Sequence, residues 1–489
     1  MNVVLMLMDT VRRDHLGFMG NSWIQTPALD RFAARSTTFT NAYIGSYPCM
    51  PARRDLFTGR YEFLHRGWGP LEHTDQDLPG LLSAGGKTSM LVTDHYHLWL
   101  KGSGNYHWNF TGFEFIRGQE SDRWITDPTI PLEYGAPAEK LRQKPFLDPY
   151  VRNRHGRRTE RDYFGPMVLQ NAMDWVERNH SHDGFFLLVD CMDPHEPWDP
   201  PFPYNQMYNP EGRGDALFWP EVGRCDLTED DLAHVKALYA GEVTMVDRWI
   251  GLFLDKLEQL GLMENTMVIF TSDHGIMLGE HGIIMKPWSS LTDSNLYQEL
   301  AHVPLVIYHP HQAEPGRRVD HLVQMVDLFP TVLEAMDLPV PEGCQGHSLL
   351  PYLLGDGSAG PARRYACYGR FGEAINVTDG EWTLLCWPPG PENEPLYWYS
   401  PLPPAAAWGG VRVTGPSEDG RYPAHVARGE MQTALYHLPT DYAQQHDLSN
   451  QRPDVVRRLQ GCIAEFIQQH GGPPEQLRRL GLQPAAGDV

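Results

Sequence analysis

What this sequence lacks narrows what it can be. Its seven cysteines, at 49, 191, 225, 344, 367, 386 and 462, form no C-x-x-C pair and are odd in number. Neither a zinc ribbon nor a disulfide framework is indicated, and a reducing compartment fits best. A basic surplus is also missing: 40 Lys and Arg face 62 Asp and Glu, a formal charge of −22. That argues against a general nucleic-acid or membrane-surface binder, though not against small anionic substrates, because a pocket can be locally positive. The N-terminal "NVVLMLMD" has no charged leader or cleavage site and is too short to span a bilayer. The expectation is a cytoplasmic protein with no nucleic-acid and no membrane partner. Internal repeats and low-complexity tracts are absent.

What is present is a chain of 489 residues, 41% hydrophobic, ample for a large core. Short continuous apolar runs at 3–8, 89–92, 185–189, 267–271 and 305–308 read as buried parallel strands. Helical patterns lie between them. One covers 26–35, with Pro27 suited to a first helical position. Others cover 163–178 and 454–469. The longest starts from a Thr228 cap and stops at Gly261. Strands alternating with helices imply a largely parallel sheet covered on both faces. Residues 353–364 read as a linker, and 387–408 as a Pro/Trp-rich loop. The expected division is a catalytic domain over 1–360 and a smaller α+β domain over 361–489.

Ligands of open α/β sheets gather at the carboxyl ends of strands. One apolar run here ends at Asp9 and another at Asp273–His274. Two strand-end carboxylates with an adjacent imidazole make a divalent-metal site, suited to calcium, manganese or magnesium, with zinc still open. The stretch "SYPCMPARRDLFTGRY", residues 46–61, then poses a question about Cys49. It can be a buried structural thiol, a thiolate nucleophile, a metal ligand or a precursor. A phosphatase loop needs arginine six residues after the cysteine, and Asp55 stands there. No papain-like signature is present either.

"CMPAR" resembles the sulfatase signature, cysteine–x–proline–x–arginine, whose cysteine is oxidised to formylglycine. "TPALDRFAARSTTFTNAY", "LFTGRY", "TMVIFTSDHGIMLGEHGIIMK", "AHVPLVIYHP", "VDLFPTVLEAMDLPVPEGCQGHSLLPYLLG" and "ALYHLPTDYAQQHDLSN" are similar to stretches of sulfatases and phosphonate monoester hydrolases, in the same order. The resemblance implies an alkaline-phosphatase-like α/β fold, a large mostly parallel sheet between helices with a smaller C-terminal α+β domain. It implies one divalent ion, calcium or manganese, held by Asp9, Asp273, His274 and the modified Cys49. Thr10 stands where many sulfatases carry a second aspartate ligand. Arg53 matches the arginine that fixes the formylglycine. Lys286 matches the lysine that contacts the transferred group, and His195 the leaving-group histidine.

In "TSMLVTDHYHLW" this chain has Thr93 where many sulfatases have lysine, then His95 and an extra His97. His95 matches the base that collapses the intermediate; Thr93 and His97 are candidate substrate contacts. The aromatic loops at 105–124 and 387–408 can stack on a sugar or aryl leaving group. The implied activity is hydrolysis of a small anionic ester, a sulfate monoester, through a covalent enzyme–sulfate intermediate. The alternative is a phosphonate monoester or phosphodiester hydrolase using the same site. A formylglycine-generating enzyme is the implied protein partner, and a homo-oligomer is compatible with the sequence.

Overall fold

The structure, a computed structural model, describes residues 1–100, 102–286, 295–355, 363–400, 411–418 and 420–484. Its main sheet contains β1 (Asn2–Met8), β2 (Thr37–Tyr43), β3 (Thr88–Thr93), β4 (Gly112–Phe115), β5 (Phe185–Cys191), β6 (Thr266–Thr271), β7 (His302–Tyr308) and β8 (Arg318–Gln324). Their order is β8-β2-β7-β6-β1-β5-β3-β4. Every residue of β1 is buried. Val4, Met6 and Met8 enter one core and Val3, Leu5 and Leu7 the opposite one. This is the two-residue period of a strand covered on both faces.

The expectation of a parallel strand at 305–308 is corrected here. β7 runs antiparallel to both of its neighbours, β2 and β6. A parallel neighbour requires a crossover that returns the chain to the opposite edge of the sheet. β7 instead starts at the carboxyl edge of β6, where Thr271 is paired with Leu305, so the strand is reversed.

Helices α1 (Cys49–Thr58), α2 (Phe164–Asn179), α3 (Glu229–Gln259) and α4 (Pro453–Gln469) flank the sheets. Thr228 caps α3 by accepting from the Asp231 N–H at 3.1 Å. Gly261, at φ 69°, turns the chain after it, a conformation that glycine adopts without steric cost. Val235, Val243, Val246, Ile250, Phe253 and Leu257 from α3 join the first core.

A second, antiparallel sheet is built from β9 (Ala366–Gly369), β10 (Ile375–Thr378), β11 (Trp382–Cys386) and β12 (Ala434–His437). One of its faces packs with α4, while Tyr368, Leu385 and Tyr436 join the second core of the main sheet. Gly369 is latched to the loop ahead of Cys49: its N–H donates to the Gly45 carbonyl at 2.9 Å and its carbonyl accepts from Tyr47 at 3.0 Å. Residues 356–362 of the expected linker and 401–408 of the expected aromatic loop lie outside the described residues. Among the described residues no helix is long and apolar enough to cross a membrane.

Candidate active site

Register assembles the site. β1 lies between β5 and β6, with Leu7 opposite both Asp190 and Thr271. Asp9 and Asp273, each two residues further along, therefore emerge side by side. Asp190 is in turn opposite Thr93, which brings His95 to the same edge. Helix α1 begins on Cys49, so its N-terminal end faces the carboxylates. Asp55, standing where a phosphatase would need arginine, pins the preceding loop: its carboxylate accepts from Ser46 N (2.6 Å), Ser46 Oγ (2.7 Å) and Glu62 N (2.9 Å).

Cys49 Sγ lies 3.1 Å from His274 Nε2 and 3.9 Å from Asp9 Oδ1. Donor atoms of Asp9, Cys49, Asp273 and His274 all fall within 4.8 Å of one another. His274 Nδ1 is 2.7 Å from the Gly275 carbonyl, which can only accept, so Nδ1 carries the proton and Nε2 presents a lone pair. Thr10 sits at φ 61°, a costly conformation for a β-branched residue. Its N–H donates to Asp273 Oδ1 at 3.2 Å and its carbonyl accepts from Tyr239 at 2.7 Å. Its hydroxyl is buried and has no hydrogen-bond partner among the described residues, which fits an unused ligand atom.

Arg53 is fully buried and holds the carboxylates together. Nη1 donates to Asp9 Oδ2 (3.0 Å), Asp273 Oδ2 (2.6 Å) and the Cys49 carbonyl (3.3 Å). Nε and Nη2 grip Asp190 at 3.1 and 2.7 Å. Three buried carboxylates around one guanidinium leave surplus negative charge, which a cation would offset. Burial alone would raise the Asp9 carboxyl, yet Arg53 and the nearby imidazoles hold it well below the usual range. Burial and the charge of Asp9 push Asp273 well above it. The two carboxyls are thus pushed apart in acidity, and a bound cation would favour the ionised form of both.

Burial, with Asp9 and Asp273, also pushes the Cys49 thiol well above its ordinary value. This environment does not make a thiolate nucleophile. Burial pulls His274 down to about 3, leaving the neutral imidazole that ligates metals.

His95 Nε2 lies 3.2 Å from Asp9 Oδ2, and burial with Arg53 holds its pKa well below the usual histidine value. The Thr93 hydroxyl accepts from the His95 N–H at 2.9 Å, so it shapes the turn that presents His95. His97 pairs with Glu120 at 3.0 Å and packs edge-on against Trp68. In the cavity that Cys49 also lines, His195 and Lys286 meet with Nε2 and Nζ 2.5 Å apart. Lys286 Nζ also donates to both Glu196 oxygens, at 2.8 and 2.7 Å. Cys49, His97, His195 and Lys286 line one cavity of about 340 Å³, with Trp68, Phe146, Trp219 and Phe371 in its walls.

Sequence reasoning passed over Asp190, Glu196 and Arg370. Asp190 ends the apolar run 185–189 as Asp9 ends 3–8, so the same signal could have found it. Glu196 had only its place beside His195 to mark it. Arg370, which also lines the cavity, comes from the second sheet and carried no local signal.

The chain matches the sulfatase family model over residues 1–338. It is 26% identical to an arylsulfatase of Clostridium perfringens over 388 residues, covering 71% of this chain and 77% of that protein. Its fold is similar to a phosphonate monoester hydrolase from Silicibacter pomeroyi, with a TM-score of 0.69 at 17% identity over 97% of this chain and 96% of that one. It is also similar to a protein solved with its substrate D-glucosamine-2-N,6-O-disulfate, with a TM-score of 0.65 at 18% identity over 97% and 99% of the two chains. Likeness at such identity speaks for the alkaline-phosphatase-like fold and not for a substrate. With a matched model over more than half its length and a buried Asp–Cys–Asp–His cluster at the strand ends, this chain belongs to the sulfatase family of hydrolases.

Proposed function

We propose that this hydrolase cleaves an organic sulfate monoester, using formylglycine made from Cys49 and one divalent ion, calcium or manganese. The observation that carries the reading is the placement of Cys49: buried among three metal-binding donors, with its thiol held protonated. Asp9, Asp273, His274, the Thr10 hydroxyl and the modified Cys49 side chain would hold the ion. A divalent ion there acidifies an attacking oxygen and stabilises charge on the transferred group. Hydrated formylglycine supplies two oxygens on one carbon, one to attack and one whose deprotonation expels the inorganic anion. Arg53 anchors this centre by binding Asp9, Asp190 and Asp273 at once. His95 stands beside Asp9 as the base, while Lys286 and His195 assist the departing oxygen. The aromatic cavity walls offer flat surface on which a sugar or aryl leaving group can stack. A formylglycine-generating enzyme is the partner this reading requires.

A second reading keeps the centre and changes the electrophile to a phosphonate monoester or phosphodiester. It is favoured by Thr93, which removes a cation that many sulfatases place beside this centre. The test is a substrate panel on metal-loaded protein whose formylglycine has been confirmed by mass spectrometry. Faster turnover of nitrophenyl sulfate than of nitrophenyl phenylphosphonate supports the first reading. The reverse order establishes the second.

A further inference from the structure

One residue touches both members of the lysine–histidine pair, and no assigned role accounts for it. Glu196 is 7% exposed at its side chain, and its two carboxylate oxygens take two of the three Lys286 protons. The third points at His195 Nε2. The backbone carbonyl of Glu196 lies 2.5 Å from His195 Nδ1. A carbonyl can only accept, so Nδ1 carries the imidazole proton. An ammonium can only donate, so Nε2 is the acceptor. The histidine is thereby held as the Nδ1–H tautomer, with its free lone pair on the lysine.

Resting on the hydrolase reading above, we infer that Glu196 is a positioning residue for leaving-group departure: its carboxylate holds Lys286 as an ammonium ion against His195, and its carbonyl fixes the imidazole tautomer. A lysine 12% exposed in this cavity would otherwise shed its proton or swing away. Burial alone lowers Lys286, and Glu196, with smaller contributions from Cys49 and Asp9, raises it above its ordinary value. Other groups facing Lys286 are His195 on the loop after β5, Cys49 on α1, Asp9 after β1, His274 after β6 and Glu120 after β4. Of the acidic groups among these, Glu196 alone is in direct contact with the ammonium among the described residues.

The test compares wild type, Glu196→Gln and Glu196→Asp on phenyl sulfate, a poor leaving group, and nitrophenyl sulfate, an activated one. In Glu196→Gln, kcat for phenyl sulfate should fall roughly tenfold or more, short of the about 10²–10⁴ expected for outright loss of a general acid. Nitrophenyl sulfate should be nearly unaffected. The alkaline limb of the pH profile should move to lower pH, because a lysine without its carboxylate loses its proton sooner. Glu196→Asp should restore part of both effects. Equal losses on both substrates with an unmoved pH profile would overturn the inference and leave a merely structural role.

Because the comparison concerns only the leaving oxygen, it can be run on the matching aryl phosphonates if those turn over instead. No turnover of either class by wild type overturns the hydrolase reading and leaves this inference to a measurement without substrate. Nitrogen NMR should show the Nδ1–H tautomer of His195 in wild type and in Glu196→Gln alike, because the substitution keeps the backbone carbonyl, while Lys286 should lose its proton at lower pH in Glu196→Gln. The opposite tautomer in wild type would overturn it.

Discussion

The two sides of the cavity are built on different principles. On one side Asp9, Asp273 and His274 project from the ends of adjacent strands, and Arg53 ties the two carboxylates to a third. Pairing register sets their positions, and all are fully buried. On the other side His195 and Glu196 arrive from one loop and Lys286 from another, Phe146 from the helix Lys144–Asn153, and Phe371 from the turn after β9 at the edge of the second sheet. Loops on a rigid scaffold are where binding groups vary most freely. On the function proposed above, the strand-end side would carry the chemistry and the loop side would select the leaving group.

Substitutions on the first side should remove the reaction altogether. Asp273→Ala removes a carboxylate that both Arg53 and the ion need. The bound ion should be lost, and activity should drop by about 10³-fold or more, given the several kcal/mol a bound ion contributes. Elemental analysis beside a rate assay checks it; full activity in rigorously metal-free wild type would refute the assignment. At Cys49 the effect is as large but different in kind. Cys49→Ser retains an oxygen that can attack but lacks the second hydroxyl, so intact-protein mass spectrometry should find a trapped ester after incubation with substrate. Cys49→Ala should show none. An active wild type carrying only an unmodified thiol would rule the formylglycine route out.

On the second side, effects should depend on the substrate. Lys286→Ala should cost about 10²–10⁴ in rate on phenyl sulfate and far less on nitrophenyl sulfate. A uniform loss across leaving groups would place Lys286 with the first side instead. The smallest effect is expected at the cavity wall. Phe146 is 39% exposed, so Phe146→Ala should leave the fold intact. Losing roughly 1 kcal/mol of apolar contact should raise KM for aryl substrates about fivefold with kcat nearly unchanged. A fall in kcat with constant KM would mean that the wall orients the reacting bond rather than binding the leaving group.

Much of this was legible along the chain. Asp9 and Asp273–His274 were readable because a buried strand must be apolar until it ends, so a carboxylate at its end is conspicuous. Cys49 and Arg53 were readable because prolines flank the cysteine and the five residues from Cys49 to Arg53 resemble the sulfatase signature. Thr228 and Gly261 marked the ends of the long helix by capping chemistry that is local. The reversed strand β7 was not legible, since an apolar run carries no sign of direction.

Sequence by itself therefore determined five of the eight strands of the main sheet, the ends of the long helix and the strand-end carboxylates, because apolar periodicity and capping act over a few residues. Only the tertiary structure decided that Leu7 lies opposite both Asp190 and Thr271, which turns separate carboxylates into one cluster around Arg53. It alone decided that Glu196 clamps Lys286 across 90 residues of chain and that Gly369 latches the second sheet to the loop of Cys49. These contacts depend on strand register and on packing between distant segments, for which no short stretch of sequence carries a signal.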